Sequence, residues 1–99
     1  MPVAALTLEL RIPLSRSLKD RRQVVRSLKD KLRHGFNVSV AELDEAITWQ
    51  SATIGIAAIS NSRDYLAGLL AEAEQAATRI AGDLGAEVMD SWWQFLEEA

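Results

Sequence analysis

The stretch 4–35, AALTLELRIPLSRSLKDRRQVVRSLKDKLRHG, decides the fold, because its hydrophobic period changes partway along. From Ala4 to Ile12 the residues alternate, with Leu6, Leu8, Leu10 and Ile12 on one side and Ala5, Thr7, Glu9 and Arg11 on the other. A period of two marks a strand with one buried face, and Pro13 stops it. Ser17 then offers a helix cap, with Asp20 three residues on as a short-armed capping partner. Leu18, Val25, Leu28 and Leu32 recur at helical spacing until Gly35, a residue type suited to a helix C-terminus. A strand followed by a helix is therefore the opening unit.

Downstream the same logic repeats. Phe36, Val38 and Val40 alternate with Asn37, Ser39 and Ala41, which reads as a second strand. Leu43 to Thr48 is an acidic connection containing Asp44 and Glu45. A third strand is expected from about Trp49 to Ile59, with Ala52, Ile54, Ile56 and Ala58 inward. Asn61 or Ser62 caps a second helix to about Ala81, whose stripe is Leu66, Leu69, Leu70, Ala73, Ala77 and Ile80; Gly82 and Gly85 end it. A last strand is expected from about Glu87 to Leu96, with Met89, Trp93 and Phe95 on its more apolar face and Asp90, Trp92 and Gln94 opposite. The pentapeptide Arg-Ser-Leu-Lys-Asp occurs at 16–20 and 26–30, but ten residues turn a helix face by about 80°, so the copies present different surfaces and make no repeat array.

The order is β-α-β-β-α-β. Two right-handed crossovers place both helices on one face of the sheet, which gives an α+β ferredoxin-like sandwich with strand order 4-1-3-2 and one open sheet face. The 99 residues suit a single domain, 1–99, and no Gly/Ser-rich linker divides them. There is no cysteine and His34 is the one histidine, so disulfide scaffolds, thiolate metal sites and multi-histidine cages are excluded. No metal or cofactor is expected. The apolar start, Met1 to Leu8, is interrupted by Thr7 and lacks a basic flank, so neither a signal peptide nor a membrane span is expected and the chain is read as cytoplasmic.

Charge is divided along the chain. Residues 1–34 hold nine basic against three acidic side chains, and residues 35–99 hold two against eleven, giving the net −3. Such asymmetry suits a surface for polyanions or an acidic partner. On the first helix Arg22, Arg26, Lys29 and Arg33 fall within about 60° of one another, with Lys19 alongside, on a ridge of about 16 Å. Clustered cations repel by a few tenths of a kcal/mol per pair, so the arrangement calls for a reason. Guanidinium groups grip phosphates through paired hydrogen bonds, which makes the five residues a candidate RNA-binding surface. Basic residues also keep a helix soluble and suit its C-terminal dipole. Arg21 sits at the apolar edge, where its stem is expected to pack and its head to snorkel.

The outward residues of the two central strands, Ala5, Thr7, Glu9 and Arg11 with Ser51, Thr53, Gly55 and Ala57, form no aromatic platform for bases. Trp49 and Trp92 are the aromatics left over, and a protein interface, such as a homodimer through the open face, accounts for them. Enzyme readings find less. His34 could act as a base toward Ser15, Ser17 or Ser39, but no nucleophile-elbow signature exists. Arg16 and Asn37 suggest a phosphate cradle, yet the loop from Pro13 to Ser17 has no glycine to let amides converge. Glu42, Asp44 and Glu45 could collect a hard cation, though a solvated charged loop accounts for them. No catalytic residue is assigned.

Three stretches carry a resemblance: Ser17-Leu18-Lys19-Asp20-Arg21-Arg22, Phe36-Asn37-Val38-Ser39-Val40-Ala41-Glu42, and Trp49-Gln50. In this order and at these distances they resemble the YlxP-like family of small bacterial proteins. That resemblance implies a ferredoxin-like fold. Members are often encoded near transcription-elongation, translation-initiation and ribosome-binding-factor genes, which implies a role with RNA or in ribosome biogenesis and makes RNA or a ribosomal subunit the expected partner. Ser51 departs from the family pattern, in which a basic residue usually follows the Trp-Gln pair.

Overall fold

A computed structural model describes residues 2–45 and 48–96. Strand β1 (Val3–Arg11) leads to helix α1 (Leu18–Gly35), strands β2 (Ser39–Glu42) and β3 (Ser51–Ile59), helix α2 (Arg63–Asp83) and strand β4 (Glu87–Leu96). The four strands form one antiparallel sheet in the order β2-β3-β1-β4, the 4-1-3-2 arrangement of a ferredoxin-like α+β sandwich.

Period two explains the layering. Ala4, Leu6, Leu8 and Leu10 of β1 and Ala52, Ile54, Ile56 and Ala58 of β3 are buried beneath the helices. Leu28 and Leu32 of α1 and Leu66 and Leu70 of α2 fill the other side of the same core. Removing one such side chain to Ala costs about 2–5 kcal/mol in proteins of this kind. The alternate residues face the open side in cross-strand rows: Ala41, Gly55, Thr7 and Trp92 make one, and Ser39, Ala57, Ala5 and Gln94 the next.

Three local expectations change. The second strand is confined to Ser39–Glu42, because the main chain turns just after α1, where the Val38 amide donates to the Phe36 carbonyl at 2.9 Å. The third strand begins at Ser51, after a turn that holds Trp49 and Gln50. In β4 the register slips opposite Glu9 and Leu10: Asp90 pairs with Glu9 but Val88 with Leu10, leaving Met89 as the extra residue. A bulge of one residue reverses parity, so Val88 takes the inward place and Met89 is 58% exposed. The expected Leu43–Thr48 connection is described only at Leu43–Glu45 and Thr48; Ala46 and Ile47, like Met1 and the terminal residues 97–99, lie outside the described residues.

Candidate nucleic-acid interface

Helix α1 is oriented before any ligand is considered. Ser17 Oγ accepts the Asp20 amide at 3.1 Å, and Asp20 Oδ2 accepts the Arg16 amide at 2.9 Å, so two otherwise orphaned donors at the helix start are satisfied. The buried residues Arg21, Val25, Leu28 and Leu32 then define the face turned to the sheet.

Arg21 corrects the snorkelling expectation. Its side chain is 3% exposed, with Nε donating to the Ser51 carbonyl at 2.8 Å and Nη1 to Glu42 Oε2 at 3.0 Å. Nη2 reaches both oxygens of Asp44, at 2.9 and 3.0 Å. A buried guanidinium is tolerable only when its donors find acceptors, and these three partners supply them. Glu42 and Asp44, weighed from the sequence as a cation-collecting loop or a solvated charged surface, are instead the counterions of Arg21. They fasten the strand β2 end and the following loop to α1. The sequence contained the signal: a charge in line with Val25, Leu28 and Leu32, and two carboxylates, one at the end of a short strand and one just after it.

About a quarter turn from this face lie the five cations singled out by spacing. Lys19, Arg22 and Arg26 are exposed and Lys29 is half-buried; among the described residues none of the four has a hydrogen bond or ion pair. Arg33 differs. Its Nη2 donates to the Val40 carbonyl at 2.9 Å, and its Nη1 stands 3.8 Å from Asp30 Oδ1. Val40 lies on edge strand β2, so Arg33 covers a main-chain acceptor that no strand pairs. The contact also places the ridge above the β2 edge. Val24, half a turn from Arg33, borders a cleft with Leu84 and Gly85 at the end of α2. The cations thus face away from the end of α2.

Trp49 is 48% exposed in the turn before β3, and Trp92 is 45% exposed on the open face beside Thr7. Trp92 therefore lies across the sheet from the ridge, whereas Gln50, next to Trp49, donates to the Pro13 and Ser15 carbonyls just before α1. Trp93 lies on the helix side of β4, edge-to-face with Phe95 at 5.3 Å, and the Arg63 guanidinium stands 4.5 Å from the Phe95 ring centre.

The enzyme-like combinations do not assemble: Ser39 lies in the open-face row with Ala57, across the sheet from the helix that carries His34. His34 and the pair Ser15 and Ser17 stand at opposite ends of α1, about 27 Å apart, as do Arg16 and Asn37. His34 Nδ1 is 2.7 Å from the Asp30 carbonyl, which can only accept, so that nitrogen is the donor. Ser15 Oγ is spent on the Ser17 carbonyl. No group of three or more His, Cys, Asp or Glu is placed to hold a metal among the described residues. None of the described helices is long and apolar enough to cross a membrane.

The profile of one family, described as "Protein of unknown function (DUF503)", matches residues 3–92. The chain belongs to the DUF503 family. The chain is also 43% identical over 47 residues to "Uncharacterized protein YlxP" of Bacillus subtilis (strain 168), across 48% of this chain and 51% of that protein. The alignment thus spans about half the length of the curated relative. Among solved structures, a C-terminal segment of the alpha subunit of aIF2 from Pyrococcus abyssi is similar over 100% of this chain and 52% of its own, with a TM-score of 0.52 and 14% identity. At that identity the likeness concerns the fold. In this DUF503 chain Ser51 contributes its main-chain carbonyl to Arg21.

Proposed function

We propose that this protein is a cytoplasmic, non-enzymatic accessory factor that docks on structured RNA, ribosomal RNA in the first place, through the α1 ridge. One observation carries the reading: Lys19, Arg22, Arg26 and Lys29 stand side by side with no partner among the described residues, while Arg21 on the same helix has three. Each neutralised phosphate releases condensed counterions, so the ridge gains affinity from the polyanion that it would lose in self-repulsion without one. The mode is recognition of backbone and shape, because the central strands carry no aromatic platform. The resemblance to proteins encoded beside translation genes points the same way.

Four phosphate contacts give log K against log salt a slope of about −3. The triple variant Lys19→Glu, Arg22→Glu, Arg26→Glu changes exposed side chains only, so it keeps the fold while reversing the ridge. Binding of ribosomal RNA and small subunits is expected to vanish in filter-binding or cosedimentation assays. Undiminished binding by the folded triple variant ends the proposal.

A further inference from the structure

The open sheet face is asymmetric across its strands. In the row Ala41, Gly55, Thr7, Trp92, the β2 side is small and the β4 side carries an indole. Leu43 folds over Gly55 so closely that a Cβ there would meet its Cδ1 at 2.8 Å. With Ala5, Ser39, Ala41 and Ala57 it borders a depression of about 190 Å³. An enclosed space of ~150 Å³ in a protein accepts a benzene ring, so this one has room for an aromatic side chain.

We propose that this face is the interface of a two-fold dimer, in which Trp92 of each copy enters the depression between Leu43, Gly55 and Ala41 of the other. A two-fold axis parallel to the strands, running between β1 and β3, sets β4 of one copy over β2 of its partner and β1 over β3. Each row then meets its own copy in reverse, and the large end of the row covers the small end, twice.

Charge agrees with that axis. Glu9, which accepts a hydrogen bond from Thr53 Oγ1 at 2.9 Å, comes to face the partner's Thr53, and Arg11 the partner's Ser51. No like charges on the central strands meet head on. At the other end Val3 comes to face the partner's Ile59, which is 59% exposed in the single chain. Size favours a second sheet over a peptide. Three strands of nine paired residues and one of four, at about 4.8 Å between strands and 3.3 Å per residue, give a face of ~490 Å² in flat projection, to which side-chain relief adds. Stable interfaces begin near ~600 Å² per partner, so only an occupant covering all four strands suffices. Both helices lie on the other face, so the dimer would carry its two basic ridges outward; the dimer stands whether or not the ridge binds RNA.

Sedimentation of the full chain across concentration tests the pairing without RNA. Wild type is expected at twice the 10.9 kDa chain mass in the micromolar range. Trp92→Ala should raise the dissociation constant ~30-fold or more, as loss of a central aromatic anchor does. Ala57→Glu, outward-facing on β3, should give a folded monomer. Because the chain has no cysteine, Ser39→Cys chains mixed with Gln94→Cys chains should be joined by a bis-maleimide of about 10 Å, the spacing of packed sheets. Neither variant alone should be joined. A wild-type monomer at ~100 µM, a dimer unaffected by Trp92→Ala, or absence of the mixed cross-link overturns the proposal.

Discussion

Replacing Arg21 by Ala removes a nearly buried guanidinium and leaves three acceptors behind. The Ser51 carbonyl, Glu42 and Asp44 lose bonds of 2.8 to 3.0 Å. Breaking a fully buried ion pair from one side costs about 3–5 kcal/mol. Here the carboxylates are 28% and 29% exposed and can partly rehydrate, which lowers the expectation to about 2–4 kcal/mol. In a chain of this length each kcal/mol moves Tm by roughly 4–8 °C, so a fall of ~10–25 °C is expected by circular dichroism. Arg21→Lys should lose about 1–2 kcal/mol, since one ammonium cannot span the fork of acceptors that the planar group serves. Combining Arg21→Met with Glu42→Gln and Asp44→Asn removes the charges on both sides and should recover part of the loss, because no ion is then left unpaired. If Arg21→Ala costs under ~1 kcal/mol and equals Arg21→Lys, the network does not hold the loop.

Two further substitutions test local reasons for the helix ends. Ser17→Ala deletes the acceptor for the Asp20 amide and should cost about 1 kcal/mol in urea unfolding with an unchanged m-value. Gly85, at φ 80° after α2, has room for a methyl group but not the backbone freedom, so Gly85→Ala should cost about 1–2 kcal/mol. A neutral Gly85→Ala would mean that the turn relaxes at no cost.

Much of the fold was legible because alternation and helical spacing are properties of the chain itself. The inward set of β1 and β3, the Ser17 cap and the α1 stripe all follow from neighbours within a few residues. Met89 was misplaced because a bulge is a property of two paired strands, and nothing local in β4 announces the slip opposite Glu9 and Leu10. Arg21 was misread for a related reason. Its three partners are 21 to 30 residues away, and a charge on an apolar edge snorkels unless such partners exist. Arg33 looked like the other ridge cations until edge strand β2 came within its reach.

The sequence by itself determined the order of elements, which faces are apolar, and that the positive charge gathers on one helix. Those are one-dimensional facts, carried by period and by count. Only the folded chain shows which ridge cations lack partners among the described residues, and that Trp92 shares a row with Gly55 and Ala41. Long-range pairing creates both facts: only a folded sheet brings distant carbonyls and carboxylates to an arginine, or sets a tryptophan level with a glycine 37 residues earlier in the chain.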